Sequence, residues 1–201
     1  ISNNQLAGAA GQGGADAYQI SRSLRFSSGD SAHLSRTPSV GGDRRVWTYS
    51  VWVKRHKLGT EQQILRANVG TNAQNTTDIT FYNDQLWVYT TSGGSDLLVK
   101  KTTQVFRDPS AWLHIVVSCN SPAVTIYVNG DEVTDFSVNT VPASAVDYFI
   151  NHTTSHLIGR NLSNGSVYAD FSLADAQLID GQALAPTDFG EYDDNNVWQA
   201  K

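Results

Sequence analysis

Residues 112–133, WLHIVVSCNSPAVTIYVNGDEV, decide how the rest of the chain reads. In the first half, Leu113, Ile115 and Val117 alternate with Trp112, His114 and Val116, which is the period of a β-strand. In the second half, Val124, Ile126 and Val128 share one face, while Thr125 and Tyr127 share the other. Asn129-Gly130 follows, and both central residues of a type I′ turn need positive φ. VTIYVN and EVTDF are therefore expected to pair as a hairpin around it. Both faces of these strands are partly apolar, which suits two stacked sheets better than one sheet facing water.

The same chemistry extends in both directions. Short β-like runs recur as SLRF (23–26), VWTYSVWVK (46–54), QQILRA (62–67), DITFY (78–82), QLWVYT (85–90), HLIGR (156–160) and VYADFSLADAQLI (167–179). Asn83-Asp84, Ser92-Gly93-Gly94 and Ser163-Asn164-Gly165 break them as turns. In QLWVYT, Leu86 and Val88 oppose Trp87 and Tyr89. The one helix signal is Pro186–Gly190, expected to form a short helical turn. Residues 1–20 are rich in Gly, Ala, Asn and Gln, without apolar periodicity, and read as a linker or N-terminal arm. Residues 21–201 read as one folded domain, and with no Met in it the chain is expected to be a fragment or processed product of a longer one.

Composition excludes several classes. Hydrophobic residues make up 40% and charged residues 16%, with 16 Gly, a β-rich profile with many turns. The net charge of −5 and the dilution of the one basic cluster (Arg44, Arg45, Lys54, Arg55, His56, Lys57) argue against a nucleic-acid partner. A single cysteine, Cys119, leaves no intrachain disulfide, and its apolar run points to a buried inert thiol. No apolar run is long enough to insert in a membrane.

Residues 112–133, with an aromatic and a His opening one strand and Tyr-x-Asn-Gly closing the next, resemble the laminin-G or pentraxin-like branch of the concanavalin A-like lectin/glucanase family. SLRF…SAHLSRTPS…VWTYSVWVKR (23–55) is similar to the first strands of such domains, and HLIGRN with YADFSLADAQLIDGQALAPTDFGEYD to their closing strand. The resemblance covers about residues 23–195. It implies an all-β, two-sheet antiparallel jelly-roll sandwich. TTQVFRDPSAW, LIDGQALAPTDFGEYD and VWQAK look most like the versions in bacteriophage tail-fibre and other virion proteins. The chain departs from the family at Phe171, where a Gly is usual.

The site expectations follow. The family's glucanases resemble one another in a Glu-x-Asp-x-(x)-Glu strand that sets carboxylates on one face. This chain has only Glu61, Glu132 and Glu191, none so spaced, and no nucleophile elbow, so it is expected not to be an enzyme. No cofactor is required. Calcium is the metal the resemblance admits, with Asp170, Asp175, Asp180, Asn161 and Asn164 as oxygen donors near the closing strands. Sugar recognition needs an exposed ring and planar polar groups. Trp87 and Tyr89 are the expected rings, Asn83 and Asp84 the polar groups of the adjoining turn, and Tyr127 and His114 further members of that surface. Loops 68–77 and 151–155, rich in amides and hydroxyls, are expected contact surfaces. The expected partner is a host-surface glycan or receptor, bound on the exterior of a virion. The alternative is a structural or decoration domain touching other virion subunits, or copies of itself as a trimer. A glycoside hydrolase is the weaker alternative.

Overall fold

A computed structural model of the chain describes residues 18–162 and 167–201. Residues 1–17 of the expected arm, and Ser163, Asn164 and Gly165, lie outside the described residues. The strands are β1 (Leu24–Phe26), β2 (Leu34–Arg36), β3 (Val46–Arg55), β4 (Gln62–Asn68), β5 (Thr76–Tyr82), β6 (Gln85–Ser92), β7 (Ser95–Val105), β8 (Leu113–Asn120), β9 (Ala123–Val128) and β10 (Asp131–Glu132). After them come β11 (Phe136–Thr140), β12 (Ser155–Ile158), β13 (Arg160–Asn161), β14 (Val167–Tyr168), β15 (Phe171–Asp180), β16 (Gly190–Tyr192) and β17 (Trp198–Ala200).

Two antiparallel sheets form the sandwich. One runs β1-β15-β3-β8-β9-β10, the other β11-β7-β6-β5-β4-β12-β2. Alternation decides what lies between them. Trp47, Tyr49, Val51 and Val53 of β3, Ile115, Val117 and Cys119 of β8, and Val124 and Ile126 of β9 face inward, each 2% exposed or less. Ile79 and Phe81 of β5 and Leu86 and Val88 of β6 meet them from the other sheet, fully buried. The thiol of Cys119 lies against the Arg45 carbonyl, and burial pushes it up to about 12, so it stays an unreactive core group. Phe171 fills the core beside Phe26, with ring centroids 5.0 Å apart.

Turn chemistry reads through to the backbone. Asn83 and Asp84 join β5 to β6 at φ 49° and 66°, and Asn129-Gly130 joins β9 to β10 at 52° and 87°. The hairpin beyond Asn129-Gly130 is shorter than expected. Only Asp131 and Glu132 pair with β9, and the chain then crosses to the other sheet, where Phe136–Thr140 pairs with β7. Phe136 packs on the core there, under the Lys100 ammonium 4.5 Å from its ring, a burial that continuing the hairpin would forgo. HLIGR breaks at Gly159 (φ 81°), and VYADFSLADAQLI splits into β14 and β15. The 11-residue β7, whose LLVKKTTQV does not alternate cleanly, is absent from the runs read in the sequence. Pro186–Asp188 is the expected short turn, in 3-10 form.

Residues 181–201 lie on the outer face of the β3–β8 sheet. Thr48 donates to the Gln182 carbonyl at 2.7 Å and accepts from the Leu184 N–H at 2.8 Å. Trp198 donates its indole N–H to Nδ1 of His114 at 2.9 Å, and Nε2 of His114 bonds the Ser50 hydroxyl at 2.9 Å. An indole nitrogen only donates, so the His114 proton sits on Nε2 and the ring is neutral. His114 is stacked between Trp52 (4.8 Å) and Trp198 (5.9 Å). Gly130 is doubly constrained, because a Cβ there would lie 2.5 Å from the Trp198 ring.

Burial holds His114 down at about 4, below its ordinary value near 6.5. The unfolded chain therefore binds a proton that the folded chain refuses as pH falls from 6.5 to 4, and stability is lost across that window. The full cost is about 3 kcal/mol. Urea unfolding at pH 7.5 and 4.5 should show this loss in the natural chain and a clearly smaller one in His114→Gln; equal losses would refute the assignment.

Candidate functional site

The outer face of the second sheet is built by the meander β4–β5–β6–β7. Register aligns its outward side chains in rows. Arg66, Asp78, Tyr89 and Val99 lie opposite one another across the four strands, and Thr80, Trp87 and Lys101 form a second row. Around these rows lies an open pocket of about 250 Å³, lined also by Tyr82, Glu61, Asp96, Ala73 and Asn161.

Beneath it lies a buried ion pair, of which Arg66 lines the pocket. Arg66 and Asp78 are both fully buried, with Nη1 of Arg66 3.1 and 3.2 Å from the two carboxylate oxygens. Asp78 also accepts from Gln63 at 3.1 Å, from the Thr76 hydroxyl at 2.8 Å and from the Tyr89 hydroxyl. Burial pushes its carboxyl up to about 6, against the pull of the guanidinium and the two hydroxyls. At neutral pH it is ionised and paired.

Above the floor stands Trp87, half-buried. Tyr82 lies 4.7 Å from its ring, tilted by 48°, and the Lys101 ammonium sits 3.9 Å from the ring centroid. At the rim Glu61 accepts from the Asn161 amide, and Asp96 is exposed. Three rings (Trp87, Tyr82 and Tyr89), one ammonium, two carboxylates and an amide thus line an open pocket. Such a set can stack on a sugar ring and bond its hydroxyls.

The residues expected from sequence divide. Trp87 and Tyr89 meet in this pocket. Asn83 is an exposed turn residue at the end of the β5–β6 hairpin and does not line it. Asp84 is 5% exposed and structural. Against the cost of its burial, the Gly59 N–H and the Arg107 and Arg55 guanidiniums hold it down at about 2. Tyr127 and His114 belong to β9 and β8, on the outer face of the opposite sheet, and His114 is sealed under Trp198. The expectation that they share a surface with Trp87 is corrected by topology, since alternation places a side chain on a face but cannot say which sheet owns the strand. Loop 68–77 contributes Ala73, whereas Asn151 of loop 151–155 points elsewhere, bonding Asp43 and Asp180.

Of the expected calcium donors, Asn164 lies outside the described residues, and the other four are bound to separate partners. Asp170 caps the Ser28 N–H, Asp180 takes the Asp43 N–H and the Asn151 amide, Asp175 takes Gln177, and Asn161 bonds Glu61. No three His, Cys, Asp or Glu are grouped to hold a metal among the described residues. Four of the six residues of the basic cluster pair with carboxylates: Arg44 and Arg45 with Asp147, Arg55 with Asp84, and Lys57 with Asp170.

Tyr82, Lys101, Glu61 and the Arg66–Asp78 pair are not among the sugar-site residues expected from sequence, and Asn161, expected there as a calcium donor, lines this pocket instead. Asp78 and Tyr82 were in reach, because both lie two-residue steps along DITFY. Lys101 was not, because its strand went unread.

A family model described as the concanavalin A-like lectin/glucanases superfamily, Laminin_G_3, matches residues 26–188. No curated protein sequence matches the chain. Among solved structures, domains LG4-5 of the mouse laminin α1 chain align with a TM-score of 0.61 and 12% identity, over 90% of this chain and 46% of that one. A heptameric SAP-like pentraxin from Limulus polyphemus aligns at 0.51 and 16% identity, over 76% and 71%. Domain 4 of AbnA, an extracellular arabinanase from Geobacillus stearothermophilus crystallised with arabinotriose, aligns at 0.52 and 18% identity, over 72% and 65%. At these identities the likeness is one of fold. With the matched region spanning both sheets, the chain belongs to the concanavalin A-like lectin/glucanase superfamily, in its laminin-G branch.

Proposed function

We propose that the chain is a non-catalytic recognition module that binds carbohydrate in the Trp87 pocket, and that it serves a bacteriophage virion by attaching to a host-surface glycan. The observation that carries the binding site is the half-buried Trp87 with the exposed Tyr82 beside it, in an open pocket rimmed by Glu61, Asp96, Asn161 and Lys101. The superfamily is a lectin and glucanase superfamily, which supports a saccharide as ligand. The virion reading is supported by the resemblance of residues 102–112, 178–193 and 197–201 to virion proteins, and its expected location is the tail or exterior surface of the particle. A sugar stacking on Trp87 displaces the Lys101 ammonium, a loss of about 0.5–1 kcal/mol, and frees that ammonium to bond a ligand oxygen.

One observation favours a second reading, a glycoside hydrolase. Two carboxylates, Glu61 and Asp96, line the pocket, and a third, Asp78, is held near 6, where an acid could work at neutral pH. Against it, Asp78 is fully buried and held by four side chains, so no substrate oxygen reaches it.

Calorimetric titration with neutral and acidic oligosaccharides, arabinotriose first, should find a ligand whose affinity falls roughly tenfold or more in Trp87→Ala with the fold unchanged by circular dichroism. Unaltered affinity in that variant would remove the site. Asp78→Ala leaves the Arg66 guanidinium buried without its counter-charge and should destabilise the chain by about 3–5 kcal/mol in urea unfolding. A hydrolase would instead release reducing sugar from the bound oligosaccharide and lose that activity in Asp78→Asn.

A further inference from the structure

The charges around Trp87 restrict the ligand more than the shape of the pocket does. The ring already carries a cation, since the Lys101 ammonium sits 3.9 Å from its centroid. Two carboxylates, Glu61 and Asp96, line the same pocket, and among the described residues neither is ion-paired. Arg66, the other cation of the lining, is matched by Asp78 beneath it. With that pair set aside, the pocket holds one positive charge and two negative ones, on a chain whose net charge is −5.

The field of Glu61 reaches into the pocket. Burial does most to raise the Asp78 carboxyl and the Tyr89 hydroxyl, and the charge of Glu61 pushes both further up. A field that disfavours negative charge there opposes an anionic ligand and attracts a cationic one. Register spaces the groups along the sheet. Glu61 directly precedes Gln62, which pairs with Phe81 at the Tyr82 end, whereas Trp87 stands opposite Lys101 and Thr91 opposite Asp96. The Trp87 and Asp96 rows are roughly 13 Å apart at the rise of a strand, more than one sugar ring fills.

We infer that the ligand of this pocket is a saccharide bearing free ammonium groups, a short oligomer of unacetylated aminohexose. One of its ammonium groups takes the place of the Lys101 ammonium on the Trp87 ring, and Glu61 and Asp96 attract the others. The inference rests on the reading of the Trp87 pocket as a saccharide site and adds the charge class of the sugar. A cation on an indole face is a favourable contact that the protein itself already makes here, so a ligand ammonium loses nothing that Lys101 gains. A uronic acid would instead bring a third carboxylate beside Glu61 and Asp96.

Calorimetry at pH 6 and low salt, with three trimers of matched length, tests this: the glucosamine trimer, its N-acetylated counterpart and trigalacturonate. The glucosamine trimer is expected to bind about tenfold tighter than the acetylated one, with trigalacturonate the weakest. Added salt should narrow the gap, because charges at an open rim are screened. Glu61→Gln and Asp96→Asn should each lower the ratio of the first two affinities about threefold. Lys101→Gln, which removes the competing ammonium, should tighten the glucosamine trimer. If the acetylated trimer or trigalacturonate binds as tightly as the glucosamine trimer, and loses that affinity in Trp87→Ala, the charge class is overturned while the saccharide site stands. An unchanged ratio in both carboxylate variants would overturn it equally. If neither these trimers nor arabinotriose bind, the saccharide site falls together with the inference.

Discussion

Strand β3 is buried on both faces, and that double burial organises the molecule. Inward, Trp47, Tyr49, Val51 and Val53 seat one sheet on the other. Outward, Thr48 and Ser50 are as inaccessible as the core, although they are polar, because residues 181–201 cover them. Burying a polar side chain is costly unless its hydrogen bonds are made. Thr48 makes two with the tail, and Ser50 reaches it through His114 and Trp198. The C-terminal segment is thus a third layer over one half of the sandwich.

That layer explains why the candidate site lies where it does. Both sheets present aromatic and polar residues outward, but on the β3–β8 side Trp52, His114 and Trp198 stack on one another and consume the surface. On the β4–β7 side the corresponding rings, Tyr82 and Trp87, pack on each other and on Lys101 beside an open pocket. The floor beneath them is made rigid by charge. Arg66 and Asp78 lie face to face on neighbouring strands, and Asp78 takes further bonds from Gln63, Thr76 and Tyr89. A buried pair gains little net stability over an apolar one, but it penalises any register that separates its charges. Here it fixes the alignment of β4, β5 and β6, on which the second row of Thr80, Trp87 and Lys101 depends.

The edges of the sandwich show the same economy in reverse. β15 changes register between Ala174 and Gln177, and beyond that bulge it loses β1 as a neighbour. Ala176, Leu178 and Asp180 of its second half therefore line an opening between the sheets. The core is closed where both sheets are complete and open where one of them runs out.

Much of this was written in the order of residues. Period-two alternation in 112–133 and 85–90 determined which side chains face inward, and Asn83-Asp84 and Asn129-Gly130 determined two hairpin turns, because both rules are local: one is set by strand pleating, the other by backbone sterics. The inward set, the β-sandwich class, the buried thiol of Cys119 and the short turn at Pro186 all follow from them. Which strands become neighbours is not local. That Phe136 leaves the Asn129-Gly130 hairpin for the other sheet, that His114 lies under Trp198 rather than beside Trp87, and that Asp84 ties Arg55 to Arg107 instead of facing a ligand depend on contacts between residues tens of positions apart. Alternation gives each side chain one of two directions; only the tertiary structure decides what stands on either side, because that depends on which distant segment buries the most apolar surface there.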